Sequence, residues 1–228
     1  MHVSSTVALT RHGGSDASLP LGDIRRPYTQ SKIAGEVVGR RLQGEGYPVV
    51  SLYPGAVLGP HDPYRGENSE RLQWIARGTF PLYATGGLHT VDVRTVAETV
   101  AAVLVPGRGA RRYVVPGEHV DAKRYFTTLA DIQGRRRPYL TMPRAVAIAS
   151  TVPVNVVQRW FPGRAHYPVD VEAIEVLVRD TQFDDTPART ELGVQPVPFE
   201  QSLRDTLAWL VEAGRLPRRY APRGAAAV

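Results

Sequence analysis

Two short apolar runs separated by one helix-patterned segment set the tightest limit on how this 228-residue chain can fold. The run "HVSSTVAL" (2–9) is β-branched and closes on the polar, glycine-rich "TRHGGSD", which predicts a short buried strand. From Tyr28 to about Gly44, Ile33, Val37, Val38 and Leu42 recur at helical spacing, with Pro27 at the start and "GEG" at the end. That pattern predicts a helix packed on its apolar residues. "PVVSLYPGAVLGP" (48–60) is a second apolar run, a strand that passes into a Pro/Gly loop. Strands this continuously apolar are covered on both faces, so the order strand–helix–strand predicts an α/β fold with a parallel sheet under helices.

The rest of the chain continues in kind. "NSERLQWIARG" (68–78) predicts a short helix, "HTVDV" (89–93) a strand, and "RTVAETVAAVLV" (94–105) a helix whose Thr95 and Glu98 have capping-box spacing. "RRYVVPG" (111–117) reads as a core strand. Residues 122–134 and 143–160 read as helices of a smaller unit, and 199–214 as an amphipathic helix with Leu203, Leu207 and Leu210 on one face. The arginine- and proline-rich end, 215–228, reads as a solvated, frayed tail.

Several function classes drop out on composition. With no cysteine there is neither a disulfide framework nor a thiolate metal site, and the six histidines show no paired ligand spacing. No metal is expected. The formal charge of +6 comes from basic residues spread along the whole chain, without a helix-turn-helix, RRM or zinc-finger pattern, so no nucleic-acid partner is expected. "MHVSSTVALT" lacks the basic n-region of a signal peptide. The most apolar run, "AVAIASTVPVNVV" (145–157), is too short to span a bilayer and carries Pro153; membrane contact is not expected, and the expected location is cytoplasmic.

The chemistry begins at "RRPYTQSK" (25–32). This chain writes almost every positive charge as arginine, and Lys32 and Lys123 are its only lysines. Tyr28 and Lys32 stand at i and i+4, which puts them on one helix face with Cβ atoms about 5–6 Å apart. A phenol ordinarily titrates near 10, and a nearby ammonium lowers that value towards the range where a tyrosine can pass a proton both ways. Lysine supplies the compact point charge that arginine's planar fork does not. Ser4, Ser5 and Thr6 end the strand before this helix, and Pro54–Gly55 ends the strand after it. In a parallel sheet both fall at the carboxyl edge, where ligands bind.

The order "VSSTVAL", "YTQSK", "LYPGAVLGPHD", "VDVRTVAE" resembles the extended short-chain dehydrogenase/reductase family, most nearly its NAD-dependent epimerase/dehydratase and dihydroflavonol-reductase-like branch. "RRYVVPG" and "ARTELGVQPVPFEQSLRDTLAWL" extend the resemblance over nearly the whole chain. It implies the C-terminal half of a Rossmann-like parallel sheet with covering helices, plus a small, mostly helical substrate-binding subdomain. The sheet would occupy 1–60 and 89–117, and the substrate-binding cap 61–88 and 118–214. The resemblance also assigns roles. Tyr28 matches the general acid/base acting on a hydroxyl or carbonyl oxygen. Lys32 matches the lysine that holds the nicotinamide ribose and depresses the tyrosine's pKa. Ser5 matches the Ser/Thr that hydrogen-bonds the substrate oxygen, with Ser4 and Thr6 one residue away. Tyr53, Pro54, Gly55, Ala56 and Val57 match the loop that packs on the nicotinamide, and His61 and Asp62 follow as pocket or solvated loop residues. The implied cofactor is NAD or NADP, the implied partner a small hydroxy or keto substrate; a homodimer stays open.

The resemblance fails at two places. Thr95 stands where the family usually has Asp, although threonine also caps helices. More seriously, the family opens with a G-x-x-G-x-x-G turn that cradles the cofactor pyrophosphate, and no two glycines of this chain are three apart. The chain begins on what the family counts as a middle strand, with a first nucleotide-binding half of roughly 100 residues missing. A late start is the favoured expectation, over a true truncation or a piece that pairs with a separate half. The alternative to an enzyme is a non-catalytic remnant serving as a binding or oligomerisation module.

Overall fold

The computed structural model describes residues 1–11, 19–64, 66–79, 82–107, 109–136, 139–150, 160 and 171–224. The chain divides into two compact units. The first comprises 1–57, 88–119 and 179–199; the second comprises 58–87, 120–178 and 200–228.

The first unit is built on three parallel strands in the order β1 (His2–Val3), β2 (Val50–Tyr53), β6 (Arg111–Val114). Helix α1 (Pro27–Gly44) connects β1 to β2, as the apolar runs predict. In register His2 lies beside Ser51 and Val3 beside Leu52, while Tyr53 lies beside Val114. Alternate residues of a strand face opposite ways. Val50 and Leu52 therefore point to one side, where they bury with Val91, Val103, Tyr113, Val115 and Ala188. That side is covered by α3 (Val93–Val103) and α7 (Thr186–Leu192), which packs on both α3 and β6. Ser51 and Tyr53 point to the α1 side. A second sheet has the order β3 (Ala56–Leu58), β5 (Gly87–Asp92), β7 (Glu118–Asp121), its strands interleaved along the chain with those of the first.

Three expectations need correction here. The run 2–9 is not one strand: after Val3 the chain winds into a 3₁₀ turn, Thr6–Leu9. The cause lies in the neighbouring strand. Ser4 N–H still bonds Leu52 C=O (2.8 Å) and Thr6 N–H bonds Pro54 C=O (3.0 Å), but Pro54 has no N–H to return, so the ladder stops. Ser5, extended at φ −160°, then caps the turn by accepting Val7 N–H at 3.3 Å. Second, α1 has the expected bounds but not the expected face. It buries Thr29, Glu36 and Gly39, while Val37 and Val38 remain about half exposed (49% and 47%) and Ile33 and Leu42 are half-buried. The side chains it meets, His2, Ser51 and Tyr53, are polar or ring-shaped, and its glycines admit them: a Cβ on Gly39 would stand 3.3 Å from the His2 ring. Third, α3 is capped by Asp92, whose Oδ1 accepts Arg94 N–H at 2.8 Å, and not by Thr95. Thr95 is buried and its hydroxyl oxygen accepts Val197 N–H.

The second unit holds α2 (Glu67–Arg77), a parallel pair β4 (Leu82–Ala84) with β8 (Leu140–Met142), α4 (Ala122–Gln133), α5 (144–150 as far as described), most of α6 (Val171–Arg179) and α8 (Phe199–Glu212). Leu203, Leu207 and Leu210 of α8 are fully buried, as their spacing requires. The remainder of the 143–160 helix, 151–159, lies outside the described residues. The tail is not frayed as far as residue 224. Leu216 and Tyr220 are buried, Arg223 N–H bonds Ile132 C=O at 2.8 Å, and Gln133 Nε2 bonds Tyr220 C=O at 3.1 Å. Two apolar anchors among the arginines are enough to seat it. Among the described residues no helix is long and apolar enough to cross a membrane, and no group of three or more His, Asp or Glu is placed to hold a metal.

Candidate active site

The carboxyl ends of β1 and β2 lie side by side because the ladder runs through Ser4–Leu52 and Thr6–Pro54. This places Ser5 beside the Tyr53–Val57 segment. Helix α1 packs against the 3₁₀ turn that Ser5 caps, so the segment bearing Tyr28 and Lys32 belongs to the same unit as both strand ends. Pro27 occupies the first turn of α1, where its missing N–H costs nothing. Ser31 Oγ bonds Tyr28 C=O at 2.6 Å and Gln30 Nε2 bonds Ile24 C=O at 2.8 Å, which fixes the first turn.

Lys32 Nζ stands 5.5 Å from the centroid of the Tyr28 ring, a cation–π arrangement on one helix face. Tyr28 is half exposed (52%) and Lys32 half-buried. Both are therefore open to a ligand. Ser5 Oγ already accepts an N–H, which leaves its own O–H free to be donated.

Within the 53–57 segment the residues divide. Tyr53 is wholly buried, and its phenol turns to the α1 side to bond Glu36. Burial, followed by that hydrogen bond to Glu36, pushes its pKa well above the usual phenol range, so it stays a protonated donor. Tyr53 can thus face a ligand only through its backbone. Pro54, Gly55, Ala56 and Val57 are half-buried. Gly55 has a packing reason: a Cβ there would come within 2.0 Å of the His89 carbonyl oxygen, so only glycine lets this loop lie against β5.

Behind that contact sits His89, buried on β5. Its Nε2 donates to Val115 C=O at 2.9 Å, which fixes the tautomer, and its ring meets Phe183 edge-on at 5.9 Å. Burial lowers its pKa, partly offset by the Val115 bond. Asp185 joins this region by accepting Gly117 N–H at 2.8 Å and a two-pronged bond from Arg189, both at 2.8 Å.

His61 and Asp62 fall in the second unit. Asp62 accepts from Gly66 N–H (2.7 Å), Ser69 Oγ (2.6 Å) and Tyr64 N–H (3.1 Å), and so organises the start of α2. His61 takes a left-handed backbone (φ 66°) and packs edge-on against Trp209.

The residue that pattern reading passes over is Glu36. It lies one turn beyond Lys32, completes a Tyr-x-x-x-Lys-x-x-x-Glu row, and is fully buried. Only that spacing could have drawn attention to it.

Comparison with known proteins bears on the fold. The sequence matches no protein-family model and no curated protein. Among solved structures, a nucleoside-diphosphate-sugar epimerase from Pseudomonas aeruginosa superposes with a TM-score of 0.71 at 24% identity, over 94% of this chain and 67% of that one. The fold is that of these epimerases. A UDP-glucuronic acid 4-epimerase from Bacillus cereus (TM-score 0.65, 14% identity, 93% of this chain and 61% of that one) and a UDP-glucose 4-epimerase from Bifidobacterium longum (0.64, 16%, 93% and 64%) agree. The chain thus spans about two thirds of the length of the structures it resembles, and what it holds is part of a Rossmann-like α/β architecture.

Proposed function

We propose that this chain is the acid/base and nicotinamide-facing part of an NAD(P)-dependent oxidoreductase or epimerase of the extended short-chain dehydrogenase type. The observation that carries the reading is Lys32 over the Tyr28 ring on a helix packed against the Ser5 turn, in a chain with an epimerase fold.

Neighbouring structures were solved with NAD together with UDP-glucuronic acid or UDP-glucose, and one with NADPH. For this chain they support NAD or NADP as cofactor and a small hydroxy or keto compound as substrate, with sugar nucleotides the first to screen. The donor set fits the nicotinamide-ribose end of such a cofactor. The Lys32 ammonium offers three donors to ribose hydroxyls, and the half-buried 54–57 loop offers backbone groups and a flat apolar surface. When bound, the nicotinamide supplies the hydride donor or acceptor. Tyr28 gives or takes the proton at the substrate oxygen, and the ammonium beside its ring favours the phenolate. The Ser5 hydroxyl, oriented by Val7 N–H, donates to the same oxygen.

Calorimetric titration of NAD and NADP into the 228-residue chain and a Lys32→Ala variant tests the reading. Binding heat that weakens in the variant supports it; no heat and no thermal shift with either nucleotide rejects it. A second reading, a non-catalytic binding or oligomerisation module, is favoured by the exposed apolar residues Val3, Val37 and Val38 on a sheet edge and helix of the first unit. A concentration-dependent dimer in sedimentation, together with the absence of nucleotide heat, would favour it.

A further inference from the structure

Helix α1 carries a third residue in the row that begins with Tyr28 and Lys32. Glu36 follows Lys32 by one turn, and a glutamate on a helix is ordinarily solvated, yet this one has no exposed surface. Its Oε1 accepts from the Tyr53 hydroxyl at 2.6 Å and from Arg40 Nε–H at 2.7 Å. Arg40 reaches on to the carbonyl of Leu19, in the segment that leads into the helix. His2 Nε2, at the start of β1, lies 3.7 Å from Oε2. One carboxylate thereby ties α1 to the last residue of β2 and, through Arg40, to its own approach segment, with His2 of β1 packed beside it.

A buried carboxylate is costly unless its partners are well placed, and replacing such a group by apolar side chains often leaves stability unharmed. What a buried ionic contact adds over packing is direction: charge-assisted bonds are short and fix geometry. Here the geometry fixed is that of the helix start against a strand end. Tyr53 immediately precedes the 54–57 loop, and Gly35 and Gly39 bring the helix so near β1 that a Cβ on Gly39 would already crowd His2.

We propose that Glu36 is a positioning residue: its carboxylate sets the rotation and axial placement of α1 against the end of β2, and thereby holds Tyr28 and Lys32 in place relative to the 53–57 loop. The proposal rests on the reading of Tyr28 and Lys32 as the acid/base pair.

Three variants separate position from general stability. Glu36→Leu removes the acceptor, Tyr53→Phe removes one donor with little change of shape, and Glu36→Gln keeps an acceptor oxygen where Oε1 now stands. In amide hydrogen exchange of the 228-residue chain, Glu36→Leu is expected to speed exchange at residues 30–33 and 55–57 about tenfold while α3, 93–103, stays within about twofold. Tyr53→Phe should do the same to a smaller extent, and it carries the test alone if Glu36→Leu does not fold. Glu36→Gln should stay near wild type. Equal acceleration of α1 and α3, or wild-type exchange at 30–33 in both disruptive variants, overturns the proposal. In turnover with nicotinamide cofactor, Glu36→Leu should lower kcat about ten- to a hundredfold with KM for the cofactor changed less than about threefold, and Glu36→Gln should recover most of it. Unchanged kcat in Glu36→Leu also overturns it. Undiminished turnover in Tyr28→Phe would instead reject the acid/base reading and leave the exchange result standing.

Discussion

The two faces of the β1–β2–β6 sheet are built on opposite plans. On the α3–α7 side Val50 and Leu52 meet valines, Tyr113 and Ala188 in an apolar layer. On the α1 side β1, the residue after it and β2 present His2, Ser4, Ser51 and Tyr53, and the helix answers with Glu36, Arg40 and two glycines. Only the end of that face, where Tyr53 packs with Leu9, Leu19 and Val114, is apolar. Among the described residues Ser4 Oγ, Ser51 Oγ, Glu36 Oε2 and His2 Nε2 are buried there without a hydrogen-bond partner. The apolar face supplies cohesion that no single contact directs. The polar face supplies less cohesion but specifies where one helix sits, and that helix carries Tyr28 and Lys32.

Neighbouring residues of one strand can break this contrast. Leu52→Ala opens a void in the apolar layer and should cost about 2–5 kcal/mol in urea denaturation. A loss under about 1 kcal/mol would mean the layer is not tightly packed. A pH effect of intermediate size should come from His89, which lies under the loop that ends β2. Its folded pKa is lowered from 6.5 by burial, so the fold favours the neutral ring. That contribution is fully present above 6.5 and is lost as pH falls below 6.5 towards the folded value. Denaturation at pH 7.5 and 5.5 should therefore show lower stability at 5.5, with the difference reduced in His89→Gln, which keeps a donor for Val115. The smallest effect is expected at Ser51→Ala, one residue from Leu52 but on the polar face. Its hydroxyl has no protein partner among the described residues, so stability should change by less than about 0.5 kcal/mol or rise. A loss above about 1 kcal/mol would show that Ser51 is bound into a water network.

The same contrast explains what the amino-acid pattern disclosed and what it hid. The parallel strands and α8 were legible because apolar runs and the Leu203/Leu207/Leu210 spacing report burial directly. The buried face of α1 was not. Val37 and Val38 look like a core stripe, whereas the helix packs through Thr29, Glu36 and Gly39 because its partners on the strands are polar. The apolar run 2–9 overstates its strand because the residue that cuts it short, Pro54, lies about fifty residues away, just past the end of the neighbouring strand. At α3 the Thr95/Glu98 spacing was a coincidence beside the true cap at Asp92. Tyr28 and Lys32 were visible because i, i+4 pairing is local. Glu36 was not, since only tertiary contact tells a buried glutamate from a solvated one.

The proposed role of Tyr28 is to move the proton. Turnover of Tyr28→Phe against wild type, with nicotinamide cofactor and a substrate found by the sugar-nucleotide screen, is the measurement that tests this. In Tyr28→Phe kcat is expected to fall by about 10²–10⁴-fold while the cofactor's Kd changes little. Wild-type turnover in Tyr28→Phe would contradict it.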